Sequence, residues 1–363
     1  MEGRRRDVRA ATTLISTTHT APPVSIRLGL SHIGSRPRTA RAHAIAWQIL
    51  AGAVVAGFIA AIAFQAAANL RARGIASGFD FLDRTAGFEI ARGPIDFSSR
   101  DTYARALFVG SINTFRVSLL GIALATALGV VLGVARLSSV WVIAAIAKGY
   151  LEVMRNTPLL LQLLFWYSLW QTLPAPPDAL TPLPGVFLCF RGLFVPSPVW
   201  QTDYPWISIE RPALAGFGFQ GGASVSPEFA ALLAGLTMYT AALIGEIVRG
   251  GILAVDKGQS EAAAALGLSR IRILRHVVLP QTLRIIIPPT ASQFLNLVKN
   301  STLAVAIGYP DLISITNTTL NQTGQAIEAI GLAMAVYLAV SVSLSLAMNA
   351  YNAAILRRGG RTT

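Results

Sequence analysis

Apolar residues in this chain fall in long runs unbroken by charge. Ala44–Leu70 carries no charged side chain over 27 residues, Val117–Ala135 none over 19, Asn156–Pro177 none over 22 and Ala329–Leu356 none over 28. A run of about 18 or more apolar residues is long enough to cross the hydrocarbon layer of a bilayer as a helix. Within that layer the backbone has no water to bond, so a helix is the form such runs take. The pattern predicts an all-α, polytopic membrane protein with about six spans, over roughly 44–70, 107–135, 155–173, 227–250, 284–308 and 327–356. The fifth is the least regular: Pro288 and Pro289 should kink it, and Lys299 lies inside it.

The polar segments between the spans set the orientation, because Lys and Arg concentrate on the cytoplasmic side. With the N-terminus inside, the inner segments (1–43, 136–155, 246–284 and the C-terminal tail) hold twenty of the thirty Lys/Arg and six of the seventeen Asp/Glu, a net +14. The outer segments (71–105, 174–228 and 309–328) hold eight Lys/Arg and eleven Asp/Glu, a net −3. Both termini are therefore expected in the cytoplasm. The chain reads as a basic tail (1–43), a first span (44–70), a periplasmic loop (71–105), a membrane core (106–356) and a short tail (357–363). Within the core lie a periplasmic loop over 174–226 and a cytoplasmic loop over 251–283.

Composition sharpens this. The chain is 53% hydrophobic and 13% charged, where a soluble domain has about 25% charged residues. The formal net charge of +13 would elsewhere suggest nucleic acid; here it reads as orientation, so no nucleic-acid partner is expected. Residues 1–43 lack an apolar stretch followed by a small-residue cleavage site, and read as a disordered basic tail resting on acidic headgroups rather than a cleaved signal. The stretch 174–226, rich in Pro, Gly and aromatics, reads as an irregular loop, with Gly185–Val195 a candidate half-buried piece.

Little in the sequence points to catalysis. A single cysteine, Cys189, allows no internal disulfide or thiol metal site. His19, His32, His43 and His276 show no ligand spacing. No nucleophile, base and orienting group fall together, so the chain does not read as an enzyme, and no metal site is expected. None of the three lysines, Lys148, Lys257 and Lys299, stands in the phosphate-cradling pattern G-x-x-x-x-G-K-[ST]. The chain is expected to bind no cofactor of its own.

One cytoplasmic stretch is unlike the rest: "GQSEAAAALGLSRIRILRHVVLP", Gly258–Pro280. Asp256 and Ser260 are candidate N-caps, and Glu261–Leu266 is strong helix former. Gly267 suits the left-handed end of a helix, Ser269 can cap a second helix, and Leu279-Pro280 should stop it. Ala262, Ala263 and Ala265 give the first helix a face that lets another surface approach closely. From spacing alone, a knob that docks into a partner and an amphipathic linker on the headgroups stand level.

Glu261-Ala262-Ala263, then Gly267, then Leu279-Pro280 resembles the EAA signature of ABC importer permeases, E-A-A-x3-G-x9-I-x-L-P, with Val277 in place of the isoleucine. "YLEVMRNTPLLLQLLFWY" (150–167), "YTAALIGEIVRGGI" (239–252) and "VKNSTLAVAIGYPDL" (298–312) resemble the polar amino-acid uptake permeases, similar to the histidine and glutamine systems. "NLRARGIASGFDFLDRTAGFEI" (69–90) looks like their general L-amino-acid branch. Gly245 and Gly250 stand where alanines are expected, and the chain is short between "RGLF" and "SPEF", where the branch has further spans.

The resemblance implies a methionine-importer-like permease core in the bacterial inner membrane, with a cytoplasmic coupling helix. By resemblance, Glu261, Ala262, Ala263, Gly267, Leu279 and Pro280 form the coupling element. ATP and Mg would sit on a separate ATP-binding subunit. The other implied partners are a second permease, favoured as a homologous sibling, a periplasmic amino-acid-binding protein and the lipid bilayer itself. Substrate would cross by alternating access.

Lys299, Asn300 and Thr302 are candidates for the substrate pathway, with Lys299 answering a substrate carboxylate; the plainer alternative is a lysine snorkelling to the interface. Glu246 and Arg249 are an i,i+3 pair or a gate, and Arg155 is an inner-surface anchor or a contact to the coupling region. Arg116, in the second span, needs a partner. An ABC permease for another small solute is the nearer rival. A secondary transporter would need a mid-span acid, which the sequence lacks.

Overall fold

The computed structural model describes residues 38–72, 74, 77–90, 93–200 and 206–359. Most of the basic tail and the last four residues lie outside these. Two units are separated by contacts, up to Ala72 and from Arg73 onward. Among its described residues the first contains one helix, α1 (Arg38–Ala72), apolar on every side over Ile45–Ile62.

The second unit begins with a single 3-10 turn, Asp80–Asp83, and α2 (Tyr103–Ala135). Thr102 caps α2 by accepting from the Arg105 amide. Then come α3 (Trp141–Asn156), α4 (Leu159–Gln171) and α5 (Pro227–Leu253). Ser226 caps α5 and Pro227 opens it, a proline position where the missing N–H costs nothing. α6 (Lys257–Ala265), α7 (Arg270–Ile273), α8 (Leu279–Asn300), α9 (Leu312–Thr323) and α10 (Ala326–Gly359) complete the helices.

Among the described residues, four helices are long and apolar enough to cross a membrane, at 45–62, 103–135, 227–253 and 326–351. The expected spans at 155–173 and 284–308 are not among them. In the first case Thr157-Pro158 breaks the run, because the residue before proline is pushed out of the helical region; α4 then has only 13 residues. In the second, α8 is long enough at 22 residues, but Gln281, Arg284, Pro288, Pro289, Gln293, Asn296 and Lys299 make it too polar, and it gives way at Ser301 to a 3-10 turn, Ser301–Ile307. Four of the six expected spans thus coincide with long apolar helices, and helical segments cover the other two.

The all-α expectation is corrected over 174–226. Among the described residues eight short strands occur there: β1 (Leu180–Leu183), β2 (Val186–Cys189), β3 (Gly192–Val195), β4 (Ser197–Trp200), β5 (Ile207–Glu210), β6 (Ala213–Ala215), β7 (Gly218–Gln220) and β8 (Ala223–Val225). They form an antiparallel sheet, β1-β2-β3-β8, and two hairpins, β4-β5 and β6-β7. The prolines that suggested a loop sit where strands tolerate them: Pro182 in edge strand β1 and Pro198 in a two-stranded hairpin. Gly185, between β1 and β2, has φ +79°, the turn conformation glycine supplies without strain. The Gly185–Val195 piece is half-buried as expected, with Cys189 fully buried.

The core is built on α2 against α5. Gly129 and Gly133 face α5 so closely that an added Cβ would lie 2.8 Å from the Ile244 Cβ, or 2.7 Å from the Gly245 carbonyl oxygen. This is the G-x-x-x-G pattern packing backbone against backbone. Leu163 of α4, Leu232, Leu236 and Ile244 of α5, and Leu297 of α8 fill the remainder. A second cluster joins Ile90 and Leu107 to Leu312, Ile315 and Ala333, with Leu82, Phe88, Ile95 and Phe97 packed against it, so these residues of the segment before α2 pack onto α2, α9 and α10 rather than standing free. Tyr103 anchors it by donating to the Gln322 side-chain oxygen at 2.7 Å.

Asp311 is the N-cap of α9, fully buried, its Oδ1 accepting from the Ser314 amide at 2.8 Å. Burial pushes its carboxyl from 3.8 up to about 7, against the opposing pull of backbone amides. The acid form is thus favoured in the fold. The stability associated with it is fully present below the unfolded pKa and lost as pH rises from about 4 through about 7. Thermal midpoints of the solubilised protein should fall over that window, and Asp311→Asn, which keeps an N-cap, should flatten the slope. An unchanged slope would show that Asp311 does not titrate there.

Candidate functional site

Two regions concentrate the sequence-predicted residues. The first is the loop between α5 and α8. Asp256, not Ser260, caps α6, accepting from the Gly258 amide at 2.8 Å. At the other end the Gly267 N–H donates to the Ala264 carbonyl (2.9 Å) and the Leu268 N–H to the Ala263 carbonyl (3.2 Å). With Gly267 at φ +79°, this is a Schellman C-cap that closes the helix and turns the chain.

The alanine face is only partly as expected. Ala262 and Ala265 are exposed, but Ala263 is 6% exposed, turned into its own loop. A small side chain there allows the α6–turn–α7 unit to close on itself. The exposed apolar groups on the loop are larger: Leu266 is 83% and Ile271 77% exposed. Sequence reading missed both, because it looked for the small side chains that permit approach. The single apolar residue before the capping glycine was the available signal. Glu261 is exposed beside them.

Leu279-Pro280 does not stop a helix. α7 passes through a π-turn, Leu274–Val278, directly into α8, with Pro280 in its first turn. The extra residue of a π-turn accommodates the N–H that proline lacks. α8 then passes Gly251 of α5, where a Cβ would clash with Ile286 and touch Thr282. The loop is thereby tied at one end to α5 and at the other to α8.

Above that loop, Glu246 on α5 holds two arginines. Arg249 donates to its carboxylate through Nε (3.1 and 3.2 Å) and Nη2, and Arg136, just past α2, donates through Nη1 to Oε2. The i,i+3 pair is present, with Arg136 as a third member that sequence spacing could not supply. Arg155 acts on the same carboxylate through its charge. The cluster links the α2 and α5 ends where the loop to α8 departs. Glu246→Gln should lower the thermal midpoint of the solubilised protein by several degrees, since hydrogen bonds to charged groups contribute about 1.5–3 kcal/mol each; no shift would show the cluster to be ornamental to stability.

The second region is a groove of about 530 Å³ between the α8 end, α9 and α10. Lys299 and Thr302 line it; Asn300 does not. Thr302 donates to the Lys299 carbonyl at 2.7 Å. Thr316, Asn317 and Ser341 add polar groups that sequence reading had not connected with Lys299. Arg116 finds its partner elsewhere: its guanidinium lies 4.5 Å above the Phe229 ring centroid, a cation–π contact suited to a half-buried cation.

Four long apolar helices and a capped helix–turn–helix that joins one of them, α5, to α8 are the frame of a multi-pass membrane protein. Residues 125–358 match the family described as the binding-protein-dependent transport system inner membrane component, and the chain belongs to that family. It is 42% identical to the putative amino-acid ABC transporter permease protein YhdX of Escherichia coli K12, over 85% of this chain and 93% of the relative. It is 41% identical to the general L-amino acid transport system permease protein AapQ of Rhizobium johnstonii, over 85% and 91%. The YhdX alignment runs over 365 positions yet takes in only 85% of this chain, so that relative carries inserted residues this chain lacks. A crystal structure of an amino acid ABC transporter with histidines matches 72% of this chain and 99% of its own, with TM-score 0.51 and 25% identity.

Proposed function

We propose that this chain is the permease subunit of an ATP-driven importer that carries L-amino acids from the periplasm to the cytoplasm by alternating access. The observation that carries the reading is the α6–turn–α7 element. It is short, capped at both ends, continuous with α8 and crowned by the exposed Leu266 and Ile271. Such an element transmits force as a lever, because a rigid body moves the helix to which it is joined, whereas a flexible loop would absorb the displacement. Its exposed apolar groups suit a cleft on a separate ATP-binding subunit, with Glu261, Ala262 and Ala265 at the rim.

Supporting partners follow from the same reading. One coupling element per chain calls for a second permease, for which a homologous sibling is the favoured identity, and a periplasmic binding protein delivers substrate. Both termini lie in the cytoplasm, consistent with the excess of basic residues on the inner segments. The ATP subunit biases one of two membrane arrangements and substrate the other, which is coupling through a shared bistable element.

The test is uptake into proteoliposomes holding this chain, its partner permease and the ATP-binding subunit, with binding protein outside. ATP-dependent accumulation of amino acids is the expected result. Accumulation without ATP, or of no amino acid at all, would overturn the reading.

A further inference from the structure

We propose that the strands between α4 and α5 form a platform on the bilayer surface, with the β4–β5 and β6–β7 hairpins seated among phospholipid headgroups at the outer ends of those helices.

The sheet joins the membrane helices without slack. β8 ends at Val225, and Ser226 already caps α5. The Trp170 indole, near the end of α4, donates to the Cys189 carbonyl of β2 at 3.1 Å. Successive side chains on a strand point to opposite faces. Leu188, Leu193 and Val225 therefore form one cross-strand row, and Val225 packs on the helical core. Phe187 and Phe194 point the other way, where Phe219 of β7 covers them at centroid distances of 4.5 and 5.0 Å.

Depth follows from α5. Its 27 residues extend about 40 Å at about 1.5 Å per residue, against about 30 Å of hydrocarbon. Glu246 and Arg249 occupy its inner part, which shifts the embedded portion toward Pro227. A groove of about 450 Å³ runs beside this outer portion, lined by Trp166, Leu169, Trp170, Ala231 and Ala234, with Leu188 of β2 among its walls. Ala234 lies seven residues beyond Pro227, about 10 Å along the helix. β2 thus shares an apolar groove with residues at hydrocarbon depth.

The hairpins carry the apolar surface that remains. Trp200 is 79% and Phe217 87% exposed, and Trp206, Ile209 and Leu214 are exposed on the same segment. Arg191 holds the β6–β7 turn, donating from Nη1 to the Phe217 carbonyl at 2.9 Å. From Ser197 to Gly222 the charged residues are Asp203, Glu210 and Arg211. A surface so apolar marks an interaction, and its continuity with a groove at hydrocarbon depth makes lipid the occupant. Unpaired strand edges are not tolerated within hydrocarbon, whereas tryptophan is enriched at the headgroup level. That level suits both the edges and the aromatics.

The experiment uses the assembled transporter in nanodiscs of phosphatidylethanolamine and phosphatidylglycerol. Nitroxide labels are placed at Trp200→Cys and Phe217→Cys, with Arg100→Cys, exposed in the charged segment before α2, as the water reference. The native Cys189 is fully buried and escapes labelling. The ratio of collisions with oxygen to collisions with a nickel chelate should be severalfold higher for the two hairpin labels than for the reference. If a labelled variant does not assemble, tryptophan fluorescence decides. Phospholipids brominated near the headgroup end of the acyl chain should quench wild type more than a Trp200→Phe, Trp206→Phe double variant. A reference-like ratio at both hairpin labels overturns the proposal, as does shielding that comes only with added binding protein or quenching that the double variant leaves unchanged. Neither measurement requires transport, so the import reading stands or falls separately.

Discussion

Gly267→Asp is expected to reduce ATP-dependent uptake to background while the protein still reaches the membrane at the wild-type level. The glycine holds φ +79° and closes the Schellman cap through the amides of Gly267 and Leu268. Most side chains there are strained by about 1 kcal/mol or more, Asn and Asp less than the rest. No atom lies within 4 Å of the place its Cβ would take, so the membrane core is untouched. Aspartate adds a charge next to Leu266, the most exposed apolar group of the loop. Two companions separate strain from docking. Gly267→Asn, which tolerates the left-handed region, should keep much of the uptake. Leu266→Asp, which leaves the backbone alone, should lose it. Normal uptake by both Gly267→Asp and Leu266→Asp would remove this loop from the coupling path.

Gly133→Val should fail at an earlier stage. A Cβ at Gly133 would stand 2.7 Å from both the Gly245 carbonyl oxygen and the Val248 Cβ, and the first of these is backbone that cannot rotate away. Helices α2 and α5 would have to separate along their longest contact. Overpacking of this kind costs about 1–3 kcal/mol even where side chains yield, and more is expected here. The yield of folded protein after detergent extraction should drop severalfold. Gly245→Ala is the control: its Cβ would lie 3.3 Å from the Gly129 carbonyl oxygen, tight but short of collision. It should extract nearly as well as wild type. Equal yields for the two variants would show the helices to be further apart than described.

The same pair explains a departure noted in the sequence. Position 245 carries glycine where alanine was expected; the crossing with Gly129 and Gly133 is close enough that either residue fits, with glycine the looser choice. At Gly250 nothing lies within 4 Å, and the packing offers no reason for glycine there.

What was legible in the sequence was whatever depends on local order. Charge-free runs located α1, α2 and α10 because a bilayer-length helix needs only apolar residues in succession; α5 was expected at 227–250 although Glu246 and Arg249 interrupt its inner end. Caps at Asp256 and Gly267 were legible because their chemistry is contained within four or five residues. The strands of 174–226 were not, since segments of three or four residues among prolines show no period, and only pairing with β2, β3 or β8 makes them strands. Nor was the π-turn before Pro280, which exists because α7 and α8 must join without a break.

Sequence by itself thus determined the membrane class, the expected orientation and the capped helix–turn of the α5–α8 loop, since each follows from residue type and spacing along one chain. Tertiary structure decided which alanine turns inward, that Arg136 joins Glu246 and Arg249, and that Lys299 shares a groove with Asn317 and Ser341 from later helices. Those outcomes depend on distances between segments far apart in the chain, and such distances are set only when helices pack.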